Sequence, residues 1–209
     1  QCVGAMRERI PDAIICNGEG NFSSWWHRYW HYAAQPSQLA PTAGAMGYGV
    51  PAAVAAKLRA PDRPVVALAG DGDFMMNGQE LATAVQYKAG VVIIVFNNSM
   101  FGTIRMHQEK NYPARVSGTA LHNPDFADLA LAYGASGEVV EHTAEFGPAL
   151  ARALEHTRST SLPALIELRY DGNLITPGAT LEAIRAAAQK ARLQDDCHPA
   201  LAPGRAMCS

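Results

Sequence analysis

The chain has 209 residues, 48% hydrophobic and 17% charged, with a formal net charge of -2, which is ordinary globular composition for one domain with a sizeable core. That balance carries no broad attraction for nucleic acid or anionic lipid, and no apolar run approaches the ~20 residues of a membrane span. The cysteines Cys2, Cys16, Cys197 and Cys208 form no CxxC pair and read as reduced thiols of a cytoplasmic protein, not as a disulfide framework or a zinc site.

Along the chain, apolar runs alternate with amphipathic stretches. Residues 13–16 read as a short strand, 46–60 as a helix of small residues, and 65–70 as a buried strand ending in a glycine turn. Leu81, Ala82, Val85 and Ala89 share one face of a helix predicted over 78–90, with Gly90 as its C-cap. Residues 91–96, rich in β-branched side chains, suit a strand covered on both faces. A helix over 125–134, a strand at 137–140, a helix over 144–157, a strand over 163–170 and a helix over 180–193 follow. This alternation predicts an α/β fold, an open parallel sheet with helices on both faces, spanning 1–193. The tail 194–209 has no clear period and is expected to be mobile or to lie on the surface. Ligands of such sheets bind beyond the carboxyl ends of the strands.

Two ends of one stretch fall at that edge. Residues 70–102 read GDGDFMMNGQELATAVQYKAGVVIIVFNNSMFG, with Asp71 after one strand and Asn97 and Asn98 after the next. A carboxylate and amide carbonyls are hard oxygen donors that suit Mg²⁺ or Ca²⁺. Two side chains are too few for a closed cage, but magnesium shares its octahedron with waters and substrate phosphates. A diphosphate cradled by glycine turns and helix N-termini is the expected third party. GEGN at 18–21 is a second such turn. Neither glycine motif completes G-x-G-x-x-G, because Ser23 and Met75 occupy the third glycine position.

The pattern GDG, about two dozen residues, NN resembles the signature of thiamine diphosphate-dependent enzymes. GAMGYGVPAAVAA at 44–56 and the closing NNSMFG resemble the acetolactate synthase-like branch. The resemblance runs from 13 to 170 and implies the family's diphosphate-binding domain. It implies that the side chains of Asp71 and Asn98 and the carbonyl of Met100 hold Mg²⁺. Gly70, Gly72, Asp73, the Gly102 amide region, Gly20 and Asn21 would contact the diphosphate. Asp73 departs from the small residue often seen there, and an acid beside a diphosphate must point away. Backbone groups at Gly44 and Met46 would hold the aminopyrimidine. Met46, on its own a core methionine at a helix start, would wedge between the two cofactor rings.

The resemblance also implies what the chain does not supply. The activating glutamate of the family lies on a separate, preceding domain, and neither Glu19 nor Glu80 stands in its place, so no catalytic acid is expected here. FAD would enter only through a middle domain. The expectation is the C-terminal third of a homo-oligomeric enzyme, dimer or tetramer, that uses thiamine diphosphate and Mg²⁺ on a 2-oxo acid and performs acetolactate synthase-like carboligation. The alternatives are a natural subunit with a separate partner chain, a 2-oxo acid decarboxylase on the same scaffold, and, from another class, a non-catalytic module for a phosphorylated ligand. The aromatic run 23–32 reads as a helix buried at a subunit contact, with Trp25, Trp26 and Trp30 exposed in the isolated chain. Met75 and Met76 read as core packing, and His107 as a solvated or packed histidine.

Overall fold

The computed structural model describes residues 1–33, 35 and 37–196. Its centre is a parallel sheet of β1 (Ile14–Asn17), β3 (Val65–Gly70), β4 (Val92–Asn97) and β6 (Ala164–Arg169). β2 (Gln38–Leu39) lies outside β1 and β5 (Ser136–Val140) outside β6, giving the order β2-β1-β3-β4-β6-β5. The predicted open parallel sheet is therefore present. Alternate residues feed opposite faces, as a two-residue strand period requires. Ile14, Cys16, Ala67, Ile93 and Val95 enter one core, and Ile15, Val66, Leu68, Val92 and Ile94 the other. Helices α3 (Gly49–Arg59), α4 (Asp71–Asn77), α5 (Glu80–Gln86) and α7 (Phe126–Ala132) cover the first face. Helices α1 (Cys2–Arg9), α2 (Ser23–Tyr29) and α8 (Thr143–Thr160) cover the second.

Several expectations need correction. The helix predicted over 46–60 begins only at Gly49, because Gly47 has φ +84 and Met46–Gly47 form a turn. The helix predicted over 78–90 is shorter, α5 alone, and a separate helix, α4, precedes it from Asp71 itself. The left-handed residue after α5 is Lys88 (φ 49), not Gly90. Gly90 is small for a different reason: a Cβ there would lie 2.8 Å from the Thr157 carbonyl. Met75 and Met76 are 53% and 49% exposed, not core. Phe74 takes the inward face of α4 and packs edge-on to Phe126 at 5.3 Å, so the next two residues turn outward.

Trp26 and Trp30 are buried inside this chain, at 2% and 4% exposure, and Trp25 is half-buried. Phe22 stacks on Phe96 at 5.3 Å and Trp26 meets Phe96 edge-on at 6.0 Å. Trp26 and Trp30 thus belong to the chain's own second core, while Tyr29 and Tyr32 stay 45% and 42% exposed. The last helix, α9 (Leu181–Asp196), continues past the predicted boundary at 193. The remainder of the predicted tail, 197–209, lies outside the described residues. The sequence left α1, α6 (Gly102–Asn111) and the hairpin of β7 (Leu174–Thr176) and β8 (Ala179–Thr180) unread. Among the described residues no helix is long and apolar enough to cross a membrane.

Candidate functional site

Sheet register brings the two ends of the motif together. Gly70 pairs with Phe96 across β3 and β4, and Asn97 pairs with Arg169 across β4 and β6. Asp71 and Asn98 therefore leave neighbouring strands at the same edge. The chain places β2 on one side of β1 and β3 on the other, so the connections reverse direction there, and a crevice opens beyond the strand ends. That crevice is a cavity of about 220 Å³. Gly20, Asn21, Gly44, Met46, Gly70, Asp71, Gly72, Asp73, Asn98, Met100 and Gly102 all line it. The exposed His107 does not, and Glu19 stands at the margin, solvent-exposed.

Asp71 is 3% exposed. The Gly72 N–H donates to its Oδ1 at 2.9 Å and the Asn123 amide to its Oδ2 at 2.8 Å. Burial pushes its carboxyl up, and those hydrogen bonds oppose the shift only in part. No cation among the described residues pairs with it. No three His, Cys, Asp or Glu side chains converge among the described residues either, so a metal here would rest on one carboxylate and neutral oxygens.

The loop after β4 presents those oxygens through local strain. Ser99 sits at φ 56, in the left-handed region that a non-glycine residue rarely adopts. The Asn97 Oδ1 accepts from the Ser99 N–H at 3.1 Å, and the Asn98 Oδ1 from the Met100 N–H at 3.3 Å. A short bridge braces the loop: Phe101 N–H donates to the Thr119 carbonyl and Leu121 N–H to the Ser99 carbonyl. These two bonds flank Met100 opposite Ala120, so the backbone groups of Met100 point away from the bridge. Asn97 itself is structural. Its amide donates to the fully buried Glu167 at 2.8 Å, and Glu167 also accepts from the Phe126 N–H and Arg169.

Helix α6 starts at the cavity wall. Its first internal bond is Arg105 N–H to the Phe101 carbonyl, so the N–H groups of Gly102, Thr103 and Ile104 have no partner within the helix. All three residues line the cavity. The loop after β1 is tied to the same helix, with Asn21 N–H donating to Thr103 Oγ1 at 3.1 Å. The donor set thus fits a diphosphate and a hard cation: three helix N–H groups, a buried carboxylate without a counter-ion, and amide and peptide oxygens. Phe22, Leu174 and Ile175 close the apolar side.

The site includes residues that sequence reasoning missed. Asn123 holds both Asp71 and Asn97, the latter at 3.0 Å. Tyr170 lines the cavity from the end of β6, its hydroxyl pushed up by burial first and by the Asp71 charge second. Asn123 lies in a polar loop 26 residues beyond Asn97, and no local pattern marks it. Thr103 was nearer to hand, as the second residue of the helix that follows NNSMFG.

This is the architecture of a thiamine diphosphate-binding domain, and the comparisons agree. The family model described as thiamine pyrophosphate enzyme, C-terminal TPP binding domain, matches residues 18–168, and the chain belongs to that family. Sulfoacetaldehyde acetyltransferase of Alcaligenes xylosoxydans xylosoxydans is 33% identical over 179 residues, 85% of this chain and 30% of that protein. Acetolactate synthase isozyme 3 large subunit of Escherichia coli K12 is 38% identical over 131 residues, 62% of this chain and 23% of that protein. The solved structure of the Rhodococcus jostii RHA1 thiamine diphosphate-dependent 4-hydroxybenzoylformate decarboxylase has 34% identity and a TM-score of 0.71. That match covers 81% of this chain and 32% of the decarboxylase. The chain spans less than a third of each of these relatives.

Proposed function

We propose that this chain is the cofactor-binding domain of an enzyme that uses thiamine diphosphate and Mg²⁺ on a 2-oxo acid, in acetolactate synthase-like carboligation. The observation that carries the reading is the convergence of Asp71, Asn98 and the open N-terminus of α6 on one cavity. Asp71, the Asn98 side chain and the Met100 carbonyl hold the cation. The amides of Gly102 and Thr103 hold the diphosphate, with Gly20, Asn21, Gly70, Gly72 and the Asp73 backbone alongside. Gly44 and Met46 orient the ring-bearing half, and Phe22, Leu174 and Ile175 keep water from it. When bound, thiamine diphosphate supplies the electron sink for cleavage beside a carbonyl.

The chain's own groups bind, orient and desolvate. Among the described residues, the carboxylates of the cavity wall are Glu19, Asp71 and Asp73. Asp71 is committed to the cation, Asp73 is bonded to the Gly47 N–H and Glu19 faces solvent. As the resemblance to the family implies, we place the proton-handling glutamate on a further domain, across a contact between copies in a homo-oligomer. The free thiols Cys2 and Cys16 suit a cytoplasmic setting. The solved neighbour, a decarboxylase, favours simple 2-oxo acid decarboxylation as the second reading. The test supplies the full protein with a 2-oxo acid, Mg²⁺ and thiamine diphosphate, with and without a second carbonyl compound. A coupled product supports carboligation, and an aldehyde alone supports the second reading. Failure to bind the cofactor refutes both and leaves a module for another phosphorylated ligand.

A further inference from the structure

The turn that carries Met46 is held at one residue, Gly47. Gly47 is buried in the turn between Met46 and α3. Its N–H donates to Asp73 Oδ1 at 2.5 Å, and its carbonyl accepts from Asn77 Nδ2 at 2.9 Å. Asp73 and Asn77 are four residues apart on α4 and so share one helix face. One rigid element thus grips both polar groups of a single residue. Glycine is required at that point, because φ is +84 and a Cβ would lie 2.7 Å from both Asn77 Nδ2 and Met76 Cβ.

Asp73 is an expensive residue to keep there. It is 3% exposed, and its Oδ2 is buried with no hydrogen-bond partner. A Cβ on Gly18 would lie 1.9 Å from that oxygen, so the carboxylate is packed directly against the loop after β1. An unpaired buried carboxylate oxygen costs stability. The grip on Gly47 is the contact that the acid makes in return.

We propose that Asp73 and Asn77 are positioning residues: their two-point clamp on Gly47 sets where Met46 stands in the cleft, and so governs affinity for the ring-bearing half of the ligand and not for its diphosphate half. The inference rests on the thiamine diphosphate reading for the ligand, but the clamp itself is testable without any ligand. Asn77 does not line the cavity, so Asn77→Asp removes the donor to the Gly47 carbonyl without altering the wall. Asp73→Asn keeps the shape of the side chain but replaces its charged acceptor with a neutral one, and so weakens the other half of the clamp.

The full protein and both variants are compared in two experiments. Amide exchange across residues 44–48 is followed by mass spectrometry without ligand, and calorimetry titrates thiamine diphosphate and inorganic pyrophosphate separately, each with Mg²⁺. Asn77→Asp is expected to speed exchange and to weaken thiamine diphosphate binding roughly tenfold, leaving pyrophosphate binding within about twofold of the unaltered protein. Asp73→Asn should also speed exchange across residues 44–48, to a smaller extent. Unchanged exchange in Asn77→Asp, or an equal loss for both ligands, overturns the clamp. If the unaltered protein binds neither ligand, the cofactor reading fails and the ligand half of this proposal with it, while exchange still decides whether Asp73 and Asn77 hold the turn.

Discussion

A buried carboxylate that meets only neutral donors among the described residues, as at Asp71, is shifted toward its protonated form. A divalent ion would reverse that shift, and this is why metal and cofactor should bind interdependently. Asp71→Ala is expected to lower affinity for both Mg²⁺ and thiamine diphosphate at least about a hundredfold, measured by calorimetry on the full protein. Normal binding by this variant would remove the metal assignment. Met46 is half-buried on the cavity wall, so truncation there leaves little core void. Met46→Ala should move the thermal midpoint by less than about 3 °C while kcat/KM falls at least about tenfold. A shift of many degrees with full turnover would make Met46 a packing residue after all.

Helices α6 and α9 are held together by a buried acid. Glu109 is 1% exposed and accepts from Arg185 at 2.7 and 2.8 Å, from Arg105 at 3.0 Å and from the Ala114 N–H at 2.9 Å. The Arg185 hydrogen bond is the main cause that holds its carboxyl down, at about 2 against an ordinary 4.5. A depressed folded-state value stabilises the fold above the unfolded value, and that contribution is lost as pH falls from about 4.5 toward about 2. Glu109→Gln should cost roughly 1–3 kcal/mol at neutral pH and flatten the stability curve between those pH values in chemical denaturation. A variant with the unaltered acid limb would show that the ion pair contributes nothing. Because α6 carries the N–H groups of the proposed diphosphate site, the same variant also tests whether α9 steadies the cleft.

At the scale of the whole molecule the sheet is complete and both its faces are covered, so the domain has its own core. The cleft is not closed in the same way. Among the described residues its wall holds the carboxylates of Glu19, Asp71 and Asp73, and the relatives are more than three times as long as the part this chain matches. Residues 1–209 alone are therefore expected to fold and to show no consumption of 2-oxo acid in an assay where the full protein is active. Turnover by residues 1–209 alone would place the missing acid within them, with Glu19 the first candidate. The burial of Trp26 and Trp30 removes one reason to expect that isolated chain to aggregate.

The parallel sheet and the edge that carries ligands were legible from the sequence because strand period, β-branched runs and glycine turns are local signals. The spacing from GDG to NN was legible too, since one helical crossover between adjacent parallel strands needs about that length. Asp71, Asn98, Met100 and Gly102 all lie within that one local motif, which is why the resemblance to the family could single them out. Only the tertiary structure decided the rest. Asn123 joined the site through a hydrogen bond across 52 residues. Glu167 became the buried partner of Asn97 across 70 residues. Asp73 turned back to grip Gly47, which no local pattern encodes. Each of these is a polar group whose partner is distant in sequence, and pairing of that kind is settled by packing, since a buried donor or acceptor must be met by whatever the fold brings beside it.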